Sequence, residues 1–181
     1  MKTPVSLLAS GGIDSSALVD FYLKRKADLK CIHFQYGQAS AQSEKNAATQ
    51  IAEHYGVGVQ FVDFGFSLKT HHDEAFGRNA LFALIAASIT TPPVRIAIGI
   101  HSGSPYYDSG PFFLKDCQRI LDGYFAGVVR IEAPFINLNK SDIISYCRHN
   151  KVPIELTYSC QRSEIHPCHE CPSCKERESL L

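Results

Sequence analysis

Short apolar runs alternate with stretches of helical period along most of this chain. Val5 to Ala9 is such a run, closed by Ser-Gly-Gly. Ser15 to Lys26 then sets Ala17, Leu18, Phe21 and Tyr22 at helical spacing, so the opening reads as strand, tight loop, helix. The pattern repeats. Leu29 to Phe34 predicts a strand, Gln42 to Tyr55 a helix with Ala47, Ala48, Ile51 and Ala52 on one face, and Val57 to Phe64 a third strand. Asn79 to Ile89 predicts a helix and Val94 to Ile100 a fourth strand. A Gly/Ser/Pro/Tyr-rich loop, Ser102 to Pro111, precedes a helix around Phe112 to Phe125 and a strand around Val128 to Glu132. Ser141 to Asn150 is the last expected helix before a cysteine-rich tail.

Strands alternating with helices imply right-handed crossovers and a parallel sheet with helices on both faces, an α/β fold of Rossmann type. In such sheets ligands bind beyond the carboxyl ends of the strands, where Ser10–Asp14, Tyr36–Gln38 and His101–Asp108 would all sit. The loops converge on one mouth.

Composition narrows the function classes. The 181 residues are 45% hydrophobic and 20% charged, enough apolar content for one buried core and too much for disorder. Lys plus Arg (18) balance Asp plus Glu (18), so no broad basic face is expected for nucleic acid. The longest apolar stretch, Ala80 to Ile89, is too short to cross a bilayer, and no cleavable signal pattern follows Lys2. These features predict a cytoplasmic protein without a membrane or direct nucleic-acid partner. Seven cysteines are too few, and odd in number, for a secreted disulfide scaffold, and their crowding toward the C-terminus points to metal.

The segment Ser10-Gly11-Gly12-Ile13-Asp14-Ser15-Ser16 follows a strand and opens a helix. Two glycines let the backbone turn tightly with its N–H groups inward, and the helix N-terminus adds positive potential, together forming an anion cradle. Ser10, Ser15 and Ser16 can add hydroxyl donors. A carboxylate beside phosphates fits if it holds Mg²⁺, which is commonly bound by one or two carboxylates plus substrate phosphate oxygens, so Asp14 points to a magnesium nucleotide. The plainer reading is a Gly-Gly turn with Asp14 serving the helix end. Neither a Walker A loop nor a G-x-G-x-x-G fingerprint is present.

Cys160, Cys168, Cys171 and Cys174 end in C-x₂-C-x₂-C. Four thiolates close a tetrahedral zinc site with bonds of about 2.3 Å, and a set with no open position is structural. Disulfide pairing inside so short a loop would be strained. His166 and His169 are rival ligands. Cys31, Cys117 and Cys147 fall at apolar positions and read as core. His71-His72-Asp73-Glu74 reads as an exposed polar loop rather than a metal site, and His101 ends a predicted strand at the mouth, a position open to an acid or base.

Ser10-Gly11-Gly12-Ile13-Asp14-Ser15 resembles the SGGxDS loop of the PP-loop ATP pyrophosphatases, an adenine nucleotide alpha hydrolase-like fold. Other segments resemble the 7-cyano-7-deazaguanine synthase family. They are Phe34-Gln35-Tyr36-Gly37-Gln38, Gly77-Arg78-Asn79, Tyr106-Tyr107-Asp108 with Pro111, Ala133-Pro134-Phe135 with Lys140, and the tail from Leu156 through Cys174 with Arg177. The resemblance spans nearly the whole chain and implies a PP-loop domain over residues 1–155 with a zinc-binding tail, 156–181, packed on it.

It further implies an ATP-dependent, carbon–nitrogen bond-forming synthase of the queuosine pathway, with ATP, Mg²⁺ and Zn²⁺ as cofactors. Such an enzyme activates 7-carboxy-7-deazaguanine by adenylation, captures it with ammonia and dehydrates the amide to the nitrile. Asp14, Lys140 and Arg78 become the catalytic candidates; Ser10, Gly11, Gly12, Asp14, Ser15 and Ser16 the nucleotide loop; and Tyr36, Gln38, Asn79, Tyr106 and Asp108 the substrate contacts. A turn-forming Asp108 is the plainer alternative. The family likeness also suggests a homodimer. Ser109 and Gly110 stand where the family pattern has Cys and Arg, and the stretch between Phe64 and Gly77 is abridged. These departures keep two other readings open. One is a defence-associated relative that transfers the activated acyl group to a protein or other amine, and the other is a non-catalytic nucleotide-binding module.

Overall fold

The computed structural model describes residues 3–70, 75–163 and 165–181. The His71 to Glu74 segment lies outside them. Five strands form one parallel sheet in the order β3-β2-β1-β4-β5, with β1 (Val5–Leu8), β2 (Leu29–Gln35), β3 (Gly58–Asp63), β4 (Val94–Ala97) and β5 (Val129–Glu132). Between and after them run α1 (Ile13–Lys24), α2 (Ala41–Tyr55), α3 (Arg78–Ile89), α4 (Pro111–Phe125), α5 (Lys140–Asn150) and α6 (Pro172–Leu180). The expected strand–helix alternation is present throughout. No helix among the described residues is long and apolar enough to cross a membrane.

The central strand explains the layering. All four residues of β1 are buried, so both faces of the sheet must be covered. On one face Ala17 and Leu18 of α1, Ile51 of α2, and Ile143 and Cys147 of α5 pack against Val5 and Leu7. On the other, Ala83 and Ala86 of α3 and Phe113 and Leu121 of α4 close over Ile32, Ile96 and Val129. Each buried Leu or Ile contributes about 1.5–3 kcal/mol relative to exposure, so the two clusters supply most of the driving force. Cys31, Cys117 and Cys147 sit in these clusters, and burial raises all three thiols, Cys31 and Cys147 to about 12. They are inert core residues.

Two elements differ from expectation. β4 ends at Ala97 rather than Ile100, because β5 ends opposite it at Glu132 and leaves the following residues no ladder to join. Ile98 and Ile100 stay buried all the same. The tail contains a helix, α6, that no apolar periodicity announced. Its sequence is polar, and it is tethered by side chains: Arg177 donates to Thr157 Oγ1 at 2.7 Å and to the Ile154 carbonyl at 3.0 Å, and Arg148 donates to the Leu180 carbonyl at 2.8 Å.

The order of the strands places the mouth. β1 runs toward β2 and β3 on one side and β4 and β5 on the other, so the carboxyl ends of β1 and β4 flank a crevice where the winding reverses. Open α/β sheets bind ligands at such a point.

Candidate active site

The loop after β1 turns on Gly11, whose φ is +80°. A Cβ there would lie 2.6 Å from the Glu44 carbonyl and 2.9 Å from the Ala48 nitrogen of α2, so the position excludes a side chain on both conformation and space. Gly12 is the N-cap of α1, and no side chain caps that helix, which leaves first-turn N–H groups available to an anion. Gly99, just past β4, matters for the same reason. A Cβ on it would come within 3.3 Å of the Ser15 nitrogen, inside the space above the helix end. Sequence reading missed Gly99, although a glycine within the apolar run Val94 to Ile100 is a recognised sign of close backbone approach.

The serines divide. Ser10 lines the mouth, with its hydroxyl 3.3 Å from Ser15 Oγ and accepting from the Gly12 N–H at 3.3 Å. Ser15 lines it too, donating to the Gly12 carbonyl at 3.0 Å. Ser16 is fully buried and donates to the same carbonyl at 2.9 Å, so it shapes the loop from beneath rather than facing the mouth.

Asp14 and Lys140 meet in the crevice. Lys140 Nζ donates to Asp14 Oδ2 at 2.7 Å and lies 3.7 Å from Glu176 Oε2 of α6. Lys140 is fixed at the first turn of α5 by a reciprocal cap, in which Asn139 Oδ1 accepts the Asp142 N–H and Asp142 Oδ2 accepts the Asn139 N–H, both at 2.9 Å. Asp14 Oδ1 is buried with no hydrogen-bond partner among the described residues. A bare carboxylate oxygen beside a helix N-terminus fits a hard divalent cation such as Mg²⁺.

Two adjoining cavities, of about 420 and 490 Å³, open at this place and share Ser10, Asp14, Tyr36, Glu44, Arg78 and Lys140 as walls. The first runs over apolar groups at the strand ends, including Ile32, Phe34, Phe82 and Ile98, and also takes in Asn79, His101 and Tyr106. A flat ring system suits such a surface. The second is polar, with Gly12, Gln38, Ser40, Ser159 and Arg177.

Around the shared wall the remaining candidates sort themselves. Arg78 Nη1 donates to Tyr36 Oη at 3.1 Å; burial works against its charge, but Tyr36, Asp108 and Glu44 outweigh this and hold the guanidinium firmly protonated. Gln38 is engaged at both ends: its Oε1 accepts the Tyr36 N–H at 2.8 Å, and its Nε2 donates to the Phe34 carbonyl at 3.2 Å and to Glu44 Oε2 at 2.9 Å. Gln38 thus holds other groups in place.

Asp108 lies outside both cavities. Its buried carboxylate accepts the Asn79 N–H at 3.3 Å and its carbonyl accepts Asn79 Nδ2 at 2.9 Å, which anchors the start of α3. The residue sits in the Tyr107–Ser109 turn, but its carboxylate serves the distant Asn79 N–H. Glu44 and Glu176 were not singled out from sequence. Ser40-x-x-x-Glu44 after Gln38 was the available signal for the first; the second sits on the unexpected α6.

The four tail cysteines gather as their spacing suggests. All four Sγ atoms lie within 4.8 Å of one another, and Cys168 and Cys174 Sγ are 4.0 Å apart, near the about 3.8 Å edge of a tetrahedron with 2.3 Å bonds. Backbone N–H groups of Arg162 and Cys168 point at Cys160 Sγ, each at 3.4 Å, and that of Cys171 at Cys168 Sγ at 3.3 Å. Burial would raise the Cys160 thiol, but these donors and the neighbouring thiols bring it down to about 6. The residues fit Zn²⁺. His169 pairs instead with Glu178, and His166 is exposed. The cluster touches the loop, since the Tyr158 N–H, two residues before Cys160, donates to the Gly11 carbonyl at 3.0 Å.

Comparison with known proteins agrees with the fold. The fold resembles a predicted subunit of tRNA methyltransferase from Methanocaldococcus jannaschii, with a TM-score of 0.62 and 13% identity over 82% of this chain and 76% of that one. It also resembles an NH3-dependent NAD synthetase from Campylobacter jejuni, with a TM-score of 0.51 and 18% identity over 84% and 66%. At the sequence level the chain is 30% identical to a 7-cyano-7-deazaguanine synthase from Sulfurihydrogenibium sp. strain YO3AOP1, covering 99% of this chain and 95% of that protein. It is 28% identical to the protein of that name from Methanospirillum hungatei, covering 94% and 90%. The model of the queuosine biosynthesis protein QueC matches residues 5–181, and the chain belongs to the QueC family.

Proposed function

We propose that this protein converts 7-carboxy-7-deazaguanine to 7-cyano-7-deazaguanine with ATP and ammonia. The observation that carries the reading is the uncapped N-terminus of α1, with the Asp14–Lys140 pair beside it, at the junction of a ring-sized apolar cavity and a polar one. A carboxylate is a poor electrophile, and adenylation gives its carbon a good leaving group. The α1 N–H groups and the Ser10 and Ser15 hydroxyls bind the departing pyrophosphate, and Lys140 offsets the charge that develops on it. Arg78, braced on Tyr36, adds a second cation at the shared wall. Asp14 would hold Mg²⁺, which supplies charge neutralisation at phosphate oxygens. Tyr36, Asn79 and Tyr106 line the cavity suited to the deazaguanine ring, and Gln38 and Asp108 set the walls around it. The amide formed with ammonia is dehydrated through a second activation at the same site. Cys160, Cys168, Cys171 and Cys174 would hold Zn²⁺ as a structural tie, with no part in the chemistry.

The test is direct. Purified protein is incubated with ATP, Mg²⁺, ammonia and 7-carboxy-7-deazaguanine while pyrophosphate and product mass are followed. Release of pyrophosphate with a nitrile product is expected. Pyrophosphate without nitrile would move the reading to another amine acceptor, and neither product would reduce the protein to a binding module.

A further inference from the structure

Amide formation needs a group to receive the proton that the amine loses, and none of the roles assigned above supplies it. Carboxylates and imidazoles lining the cavities among the described residues are Asp14, Glu44, His101 and Glu176. Asp14 is bonded to Lys140, and Glu176 belongs to the same charged knot. His101 lines only the first cavity, and its Nδ1 is 2.7 Å from the Ser102 carbonyl at the outer rim. Glu44 differs from all three. Like Asp14 and Glu176 it stands on the wall common to both cavities, where the acyl carbon and the phosphate of an adenylate must meet, but no ammonium or guanidinium among the described residues lies within ion-pair distance of it.

Its carboxylate is held rather than free. Ser40 Oγ donates to Oε1 at 2.6 Å and Gln38 Nε2 to Oε2 at 2.9 Å, so each oxygen keeps a lone pair for another donor. Its own backbone carbonyl is the atom that forbids a side chain on Gly11, which locks the first turn of α2 against the phosphate loop. Position and orientation are therefore both fixed relative to the Gly11 loop.

Resting on the synthase reading above, we infer that Glu44 is the catalytic base that binds the amine nucleophile and takes its proton. The nitrogen lone pair forms the C–N bond to the acyl carbon, the bond from that carbon to the AMP oxygen breaks, and AMP leaves with that electron pair. One N–H proton passes to the Glu44 carboxylate. Burial pushes this carboxyl above the usual carboxylate range, against the opposing bonds from Ser40 and Gln38 and the Arg78 charge, and so raises its basicity.

Glu44→Gln and Glu44→Asp separate this role from a structural one. Two partial reactions are followed with zinc content as a check of folding: pyrophosphate exchange into ATP driven by 7-carboxy-7-deazaguanine, and amide formation from ammonia. Glu44→Gln is expected to keep exchange within about threefold while losing on the order of 100-fold or more in amide formation. Hydroxylamine is unprotonated at neutral pH and, being the weaker base, gives an adduct that loses its N–H proton to water, so it is expected to recover much of the acyl transfer. Glu44→Asp keeps the carboxylate, drawn back by one methylene, and is expected to retain exchange and slow the amide step by roughly tenfold, which decides the matter if the neutral variant fails to fold. Amide formation at the wild-type rate in either variant, or equal loss of exchange and amide formation, overturns the assignment. A wild-type protein inactive in both assays overturns the synthase reading and the role of Glu44 with it.

Discussion

Lys140 Nζ lies 2.7 Å from Asp14 Oδ2 across 126 residues of chain, joining the N-terminal turns of α1 and α5 over the crevice. Both side chains are mostly buried, 16% and 22% exposed, so neither charge is fully screened by water. Asp14→Asn removes the anionic oxygen that fits Mg²⁺ and leaves Lys140 without its nearest counter-charge. Pyrophosphate release should fall by about 100-fold or more, with zinc content unchanged. Full activity in that variant would remove the magnesium argument. Lys140→Met should slow release by a similar factor, because the charge it offsets appears as pyrophosphate departs.

Gly11→Ala tests the loop itself. The left-handed conformation costs an L-residue about 1–2 kcal/mol, and the added Cβ must displace the Glu44 carbonyl 2.6 Å away. For a chain of this size each kcal/mol lowers Tm by about 2–4 °C, so a fall of at least a few degrees is expected, together with weaker ATP binding. An unchanged melting curve would show that the turn can relax without cost.

Much of this loop was legible in the sequence because strand, Gly-Gly turn and helix follow one another within Val5 to Lys24, and each is set locally. The same holds for the cysteine cluster, whose spacing needs only a turn. What escaped depends on contacts between distant segments. Glu44 reads as one more polar residue on the solvent side of an amphipathic helix until Gly11 brings the loop against it. α6 has no apolar stripe, since it is held by Arg177 and the cysteines rather than by a hydrophobic face, and Glu176 was hidden with it. Asp108 fitted a substrate role by residue type, and only the packing of its turn beside α3 shows which N–H it accepts.

The tail gives a metal-removal test. Chelation of zinc, or Cys171→Ser, should lower Tm by more than 5 °C, on the order of what loss of a structural zinc ligand costs. Because Tyr158 is bonded to the Gly11 carbonyl, ATP binding should weaken in parallel. Stoichiometric zinc measured by atomic emission in the wild type, and its loss in the variant, are the accompanying readouts; retained stability without metal would argue against the tie.

His33 sets an acid limit on stability. Its Nδ1 donates to the Ala9 carbonyl at 2.8 Å, at the root of the loop, while Nε2 is buried without a hydrogen-bond partner among the described residues. Burial lowers its pKa, so the folded protein requires the neutral ring. The unfolded chain protonates this side chain at about pH 6.5, hence the contribution is whole above that value and is lost as pH falls below it. The Tm gap between wild type and His33→Gln should therefore narrow from pH 7.5 to pH 5. A gap that stays constant would mean that His33 does not titrate on unfolding.

Asp108 can be tested for the two roles that residue type and geometry suggest. If its carboxylate serves the Asn79 N–H, Asp108→Ala loosens the start of α3, costing about 1 kcal/mol as cap removals do, or roughly 2–4 °C in Tm. Arg78 and Asn79 shift with that turn, so KM for 7-carboxy-7-deazaguanine should rise modestly. Asp108→Asn separates the roles more sharply. Its amide oxygen can still accept the Asn79 N–H, so stability and KM should stay near wild type. A carboxylate reading the N–H edge of the ring would instead be replaced by a group that presents a donor to a donor, and KM would rise by about 10-fold or more with stability unchanged.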